Sequence, residues 1–238
     1  MQQRARDVPR IALPGIRLFW NRPWLDAQRR LCGALLSAVA VVGLLCPGPI
    51  AAQSNYVVKP VAELKTRQLP AGELYWRIEN FPTLEQAKAA AGPYRWNPDT
   101  VSYEGSPSIA AEIAGKVWLF TLGSTGGKTP GGTHVAEIGP VPAIRAPEYL
   151  LRVNHGSGPP GSRTALHTHP GSEAFYVVSG RLGQKTPAGE RYVEAGHTLN
   201  GNDADIPMEV FNAGTTDVTA LIMFVVDATR PFSVPVKH

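Results

Sequence analysis

The sequence predicts an all-β fold, a small antiparallel barrel preceded by an N-terminal extension that contains one short helix. Three observations lead to this prediction. The apolar runs are short, turn residues interrupt them often, and glycine and proline are abundant, at 24 and 22 of 238 residues. Regularly spaced short strands of this kind close into small barrels or sandwiches. A barrel of this size has room inside for one small ligand.

The first 52 residues have the pattern of a targeting segment. Two arginines precede an apolar run, Leu31–Leu45, which is too short for a comfortable membrane span. A Pro-Gly-Pro turn ends the run, and Ile50–Ala52 supplies small residues for cleavage after Ala52. We expect a signal peptide over residues 1–52, export to the periplasm or the exterior, and a mature chain that starts near Gln53. An uncleaved anchor and twin-arginine export are the less favoured alternatives.

The charge of the mature chain is close to zero. Seven of the 23 Lys and Arg residues and two of the 19 Asp and Glu residues lie within positions 1–52, which leaves 16 basic and 17 acidic residues. The basic character of the whole sequence therefore belongs to the targeting segment, and we expect no nucleic-acid partner. Both cysteines, Cys32 and Cys46, are also in that segment. The mature chain then has no thiol for disulfides or catalysis.

The elements of the extension, residues 53–147, are predicted in order. Gln53–Pro70 is polar and is expected to form an extended arm, and Glu73–Glu79 is expected to form a strand. Thr83–Ala91 is predicted to be a helix, because Thr83 can cap its start and Gly92-Pro93 ends it. Tyr94–Gly105 is expected to be a loop that carries several aromatic side chains.

A hairpin and a series of short strands follow. Ser108–Ile113 and Lys116–Leu122 are predicted to pair around Ala114-Gly115, and Gly123–Gly132 is a glycine-rich loop without the context of a phosphate-binding loop. The barrel is assigned to residues 148–238. Its predicted strands, with one that precedes them, are Val135–Ile138, Tyr149–Asn154, Arg163–His169, Glu173–Arg181, Glu190–Val193, Met208–Phe211 and Val218–Val226.

One stretch, between Gly161 and Gly180, holds the main candidate site. His167 and His169 are two residues apart, so both point to the same face of an extended strand. A turn signal follows, and Glu173 at the entry of the next strand can fold back beside the two imidazoles. Two neutral imidazoles and a carboxylate on neighbouring strands suit a divalent first-row metal ion. The alternative is that both histidines only line a polar barrel.

This stretch resembles the first motif of the cupin superfamily, with every fixed position filled: Gly161, His167, His169, Glu173 and Gly180. The resemblance implies a jelly-roll barrel. It also implies one bound divalent ion of Mn, Fe, Co, Ni, Cu or Zn, held by His167, His169 and Glu173, and a small-molecule substrate. The family spans dioxygenases, decarboxylases, isomerases and non-catalytic binders, so the fold does not choose a reaction.

The second cupin motif is eroded in the matching segment, Gly189–Asn212. Asn212 resembles its closing asparagine, but Met208 stands where the family has a third histidine. Met208 is expected either to pack in the barrel or to act as a thioether ligand, which would favour copper. Arg163 and Phe175 share a face with the motif residues. With Met208 and Asn212 they are expected to line the pocket, although a solvent-exposed position at the rim is the more favoured reading for Arg163.

Two functions from different classes remain open on this basis. The first is an exported cupin that binds one divalent metal ion and acts on a small organic molecule, as an oxidoreductase, isomerase or lyase. The second is a non-catalytic module that binds or senses a small ligand with little or no metal. A homodimer formed through the arm Gln53–Pro70 is a third, structural role. No stable membrane anchor is expected after cleavage.

Overall fold

The computed structural model of the chain describes residues 55–100 and 102–237, so the predicted signal peptide and its cleavage site lie outside the described residues. One helix is present among them, α1 (Leu84–Ala91), and no helix there is long and apolar enough to cross a bilayer. The strands of the extension are β1 (Val57–Thr66), β2 (Tyr75–Phe81), β3 (Arg95–Asn97), β4 (Ser102–Glu104), β5 (Ser108–Ile113), β6 (Lys116–Gly123) and β7 (Thr133–Ile138). Those that follow are β8 (Tyr149–Gly158), β9 (His167–Thr168), β10 (Gly171–Ser179), β11 (Arg181–Thr186), β12 (Gly189–Glu194), β13 (Thr198–Leu199), β14 (Glu209–Asn212), β15 (Val218–Asp227) and β16 (Val234–Pro235).

Two antiparallel sheets enclose the barrel interior. The larger has the strand order β1-β8-β15-β10-β13, and the smaller has the order β12-β11-β14. Apolar side chains from both sheets meet between them, including Phe175 and Ile222 from the larger sheet and Leu182 and Val210 from the smaller. This arrangement confirms the prediction of an all-β antiparallel barrel.

Strand β15 is buried on both of its faces. Ile222 and Phe224 point into the barrel, whereas Leu221 and Met223 point to the opposite side. Alternation along a strand explains this division, and burial on both faces explains why Val218–Val226 is almost continuously apolar in sequence.

The outer face of this sheet is covered by a third sheet, with the order β5-β6-β2-β7. Trp76, Trp118 and Phe120 of the third sheet pack against Leu221 and Met223 of β15. Aromatic side chains of this size contribute most of the apolar area that such a layer buries. The extension is therefore a layer of the same compact unit as the barrel.

The segment predicted as an extended arm is a strand of the barrel sheet. Strand β1 pairs antiparallel with β8, from Val57 opposite Ser157 to Thr66 opposite Tyr149, with a register shift near Pro60. The segment is extended, as expected, and it pairs along one side with β8 as the edge strand of this sheet. A homodimer stays a prediction.

Local predictions in the extension had mixed outcomes. The helix is confirmed, and the Thr83 side chain caps it by accepting a hydrogen bond from the Gln86 amide at 3.2 Å. The β5–β6 hairpin is also confirmed. The loop assigned to Tyr94–Gly105 was wrong in part, because β3 and β4 form a short hairpin in which the rings of Tyr94 and Tyr103 lie 5.0 Å apart.

The strand predicted over Arg163–His169 is mostly absent. Only His167–Thr168 is a strand, and Arg163 forms a single bridge with Phe211. Between these two points the chain leaves regular pairing, although the Thr164 amide still donates to the Val210 carbonyl at 2.8 Å. The two histidines are therefore at the end of an irregular segment.

Candidate functional site

A cavity of about 430 Å³ lies between the two barrel sheets and contains all three predicted metal ligands. Its lining runs from buried residues to exposed ones, so it has a closed end and an open rim. The buried lining residues are Tyr56, Asn154, His169, Glu173, Val210, Ile222 and Phe224. The exposed ones are Val58, Pro60, Ala165, Ser233 and Pro235. Partly buried residues complete the lining: Arg152, Thr164, Leu166, His167 and Phe232. A volume of this size is typical of sites for small organic ligands.

Backbone pairing fixes the positions of the three motif residues. His167 exchanges two backbone hydrogen bonds with Met208, at 3.0 and 2.8 Å. Glu173 is opposite Phe224 on β15. At the start of β10, Gly171 passes so close to the backbone of Val225 that a Cβ atom would lie 2.2 Å from its carbonyl oxygen. The strand that carries Glu173 can therefore approach β15 only with glycine at that position.

Both imidazoles are oriented by backbone carbonyls. The Nδ1 atom of His167 lies 2.7 Å from the carbonyl oxygen of Ala165, and that of His169 lies 2.6 Å from the carbonyl oxygen of Phe232. A neutral imidazole that donates from Nδ1 has its lone pair on Nε2, which is the atom that binds a metal ion in this tautomer. The two rings lie 4.9 Å apart, edge to face.

The surroundings of His169 keep it in the neutral form. It is 4% exposed, and its ring packs against the rings of Phe224 and Phe232 at 4.9 and 4.8 Å. Burial lowers the pKa of His169 to about 4 against the opposing effect of the Phe232 carbonyl, and the charges of His167 and Arg152 lower it slightly further. Neutral imidazole is the form that serves as a metal ligand.

Glu173 is a buried carboxyl group with one oxygen unsatisfied. It is 3% exposed, and its Oε2 atom has no hydrogen-bond partner. Desolvation raises the pKa of Glu173 to about 8, so the carboxyl group is mostly protonated at neutral pH in the absence of a cation. A buried carboxylate without a partner is costly, and a divalent cation is one partner that restores its charge.

The three side chains therefore have the chemistry to bind a metal ion. In this structure, however, their donor atoms do not converge on one position. Within residues 55–100 and 102–237, no three His, Cys, Asp or Glu side chains form a ready-made metal-binding group. His167 is half-buried, and its ring meets that of His169 edge-on. Rotation of side chains would be needed for His167, His169 and Glu173 to bind one ion.

The other residues expected to line the pocket lie outside the cavity lining. Arg163 is exposed and forms an ion pair with Glu209 at 2.7 Å. Phe175 is on the inward face of β10, as its parity predicts, but it is fully buried in the packed core. Asn212 is turned to the backbone, where its Nδ2 donates to Gly158 and Thr216. Its role here is to fix loops at the end of the barrel.

Met208 is also outside the cavity lining, although it is directly opposite His167. Residues directly opposite in an antiparallel pair have their side chains on the same face. The side chain is 1% exposed, and its sulfur lies 3.6 Å from Nε2 of Gln184, which is fully buried. Gln184 also accepts hydrogen bonds from Arg191 and Asn202. Met208 is thus a packing residue beside a buried polar cluster.

Several lining residues were missed in the sequence, and four of them bear on the chemistry of the cavity. Tyr56 lies in the segment interpreted as an arm, and Phe232 follows the last predicted strand. Arg152 and Asn154 are at alternating positions of a strand that was predicted, so two polar residues on one face could have indicated the site. Arg152 forms an ion pair with Glu63, and its guanidinium lies 4.1 Å from the centre of the Phe232 ring.

Comparisons with known proteins find similarity to solved structures over part of the chain. No protein-family model matches the chain, and no curated protein matches it. A structure described as DMSP lyases RdDddP and RnDddQII is 25% identical, with a TM-score of 0.33 over 37% of this chain and 44% of that one. Oxalate oxidase in complex with the substrate analogue glycolate is 24% identical, with a TM-score of 0.31 over 36% and 46%.

An uncharacterised protein with a double-stranded β-helix domain from Klebsiella pneumoniae is 18% identical, with a TM-score of 0.32 over 37% of this chain and 76% of that one. The chain spans less than half the length of the first two structures. Of the motif residues, His167 is on β9, His169 follows that strand, and Glu173 is on β10 of the larger sheet. The described residues form an antiparallel β-barrel of two facing sheets that carries the His-x-His…Glu motif.

Proposed function

We propose that this protein is an exported cupin that holds one divalent first-row metal ion through His167, His169 and Glu173 and acts on a small organic molecule in the barrel cavity. One observation carries the proposal. Both imidazoles have Nδ1 engaged by a backbone carbonyl, and the carboxyl group beside them has a buried oxygen without a partner. These are the features of side chains prepared for a shared ligand.

The chain's own residues supply the setting for the chemistry. A divalent ion, when bound, supplies a Lewis acid for an oxygen atom of the substrate. The carbonyls of Ala165 and Phe232 orient the imidazoles, and the rings of Phe224 and Phe232 exclude water from His169. Arg152 is a partly buried residue of the cavity lining, and its guanidinium contacts the ring of Phe232.

Metal analysis of purified protein tests the proposal. Wild-type protein should hold close to one equivalent of Mn, Fe, Co, Ni, Cu or Zn, and His167→Ala or His169→Ala should remove most of it, since two ligands compete poorly with water. His134→Ala, a histidine on β7 outside the cavity, is the matched control and should keep the metal. Less than a tenth of an equivalent in wild-type protein after reconstitution would reject the proposal.

A second candidate function is a cupin module that binds a small ligand without catalysis and with little or no metal. The observations that favour it are the absence of an assembled ligand group in the described residues and the packing of Met208, in place of a third histidine, against Gln184. A metal-free wild-type protein that still binds small molecules in the cavity would support this candidate.

Export is part of the leading proposal and rests on the sequence alone. Arginines, an apolar run and small residues before Gln53 have the order of a cleavable signal peptide. The protein recovered from the exported fraction should start at or near Gln53 by mass spectrometry. Full-length chain in that fraction would contradict cleavage.

A further inference from the structure

Two polar atoms at the closed end of the cavity have no hydrogen-bond partner and are not among the proposed metal ligands. They are the hydroxyl of Tyr56 and Oδ1 of Asn154, in side chains that are 6% and 2% exposed. Both residues line the cavity. Buried polar atoms in proteins are normally hydrogen-bonded, so two unsatisfied atoms in one cavity indicate a missing partner.

The two atoms lie on the same wall. Gly156 and Asn154 are successive inward positions of β8. A Cβ atom at Gly156 would lie 2.8 Å from the Tyr56 hydroxyl, so this hydroxyl occupies the space that a side chain there would fill. The Tyr56 hydroxyl therefore lies at the inward position of β8 next to that of Asn154, two residues along the strand.

Apart from the proposed metal ligands His169 and Glu173, the rest of the buried lining is apolar. It consists of Val210, Ile222 and Phe224. Arg152, the one Arg or Lys side chain among the described residues of the cavity lining, is paired with Glu63 and does not present a free charge. Away from the proposed metal ligands, a group with a net charge would find no free counter-charge in the lining that the structure describes, so an uncharged and mostly apolar group fits there best.

We infer that the closed end of the cavity is a binding subsite for a hydroxyl group on an otherwise apolar small molecule, with Tyr56 and Asn154 as its hydrogen-bonding partners. The inference deepens the proposed function, on which it rests, by naming the substrate class. A hydroxyl group both donates and accepts, so it satisfies Tyr56 and Asn154 whichever way the Asn154 amide is turned.

The size of the cavity sets the size of the probes. An apolar cavity of about 150 Å³ accepts a molecule the size of benzene. A cavity of about 430 Å³ has room for a bicyclic compound. The matched pair 5-indanol and indane differs by one hydroxyl group, and calorimetry or ligand-observed NMR can compare their binding before and after treatment with a chelator.

Wild-type protein should bind 5-indanol about tenfold more tightly than indane, as expected for one or two buried hydrogen bonds. Tyr56→Phe and Asn154→Leu should each remove most of that preference and leave indane binding unchanged. Tyr192→Phe removes a hydroxyl from an exposed ring on β12 and should keep the preference. Circular dichroism and thermal unfolding show that each variant is folded.

Equal binding of the two probes, or no binding of either, would overturn the inference. So would a preference for 5-indanol that survives in both Tyr56→Phe and Asn154→Leu, or that exists only in metal-loaded protein and is unchanged in Tyr56→Phe. The proposed function fails separately, through the absence of metal. Probe binding to chelator-treated protein does not depend on that result.

Discussion

The carbonyl oxygen of Phe232 lies 2.6 Å from Nδ1 of His169, although the two residues are 63 positions apart. The C-terminal segment is held against the motif by two further contacts. Strand β16 pairs with β9, and the Val236 amide donates to the Leu166 carbonyl at 3.1 Å. A segment without any motif of its own therefore determines the orientation of a proposed metal ligand.

Removal of this segment should weaken metal binding. We expect truncation after Arg230 to reduce affinity by about 10- to 100-fold, the range for loss of a partner that orients a ligand. Phe232→Leu keeps the backbone carbonyl and should lose much less. Competition with a chelator measures both. Equal affinity in wild-type and truncated protein would show that the Phe232 carbonyl does not position His169.

The stability of metal-free protein should fall as the pH rises from about 6.5 to 8. Burial raises the pKa of Glu173 from 4.5 to about 8, so the unfolded chain loses this proton first and stability decreases with pH across that range. The lowered pKa of His169, about 4 against 6.5, has the opposite effect between pH 4 and 6.5, where the unfolded chain binds the extra proton. The two effects offset one another below pH 6.5 and leave a net loss above it.

Urea unfolding at pH 6.5 and pH 8 measures this loss. We expect about 2 kcal/mol for wild-type protein after chelation. Glu173→Gln, which cannot ionise, should show little of it. Metal-loaded protein should also be protected, because the ion stabilises the carboxylate. A loss of the same size in Glu173→Gln would assign the titration to another group.

Replacement of Met208 by histidine tests the eroded motif. The backbone of Met208 exchanges hydrogen bonds with His167. An imidazole at position 208 would therefore lie on the same face of the strand pair as His167. We expect Met208→His to tighten metal binding by adding a nitrogen ligand. Met208→Ala should keep the metal and cost about 2–5 kcal/mol of stability, since the side chain is 1% exposed. Unchanged affinity in a folded Met208→His protein would mean that position 208 faces only Gln184.

Much of the barrel could be predicted because its signals are local. Alternation, turn residues and the spacing from Gly161 to Gly180 gave the strand class and the fold, and Thr83 with Gly92 marked the ends of the helix. Backbone geometry explains why the last position of the motif, Gly180, is a glycine. Gly180 has a φ of 76°, and a Cβ there would lie 2.6 Å from the Asp217 carbonyl oxygen.

The parts that could not be predicted depend on contacts between distant segments. The arm became β1 because its partner is β8, about ninety residues later, and no pattern within the arm specifies that pairing. The inward position of Tyr56 and the carbonyl of Phe232 have the same origin. Alternation predicts Arg163 on the face of the two histidines, at an exposed rim position. Arg163 is exposed, but the chain departs from regular pairing between Arg163 and His167, so the shared face could not be carried across this segment.

The double burial of β15 has a consequence for how this protein can change over evolution. Ile222 and Phe224 shape the cavity, while Leu221 and Met223 are locked between them against Trp76 and Trp118 of the outer layer. A substitution that shifts this strand to suit a new ligand would disturb two cores at once. Ligand preference can diversify at lower cost through β1 and the C-terminal segment, whose exposed residues form the rim. The wall behind the ligand is rigid, and the entrance is where new specificities can arise.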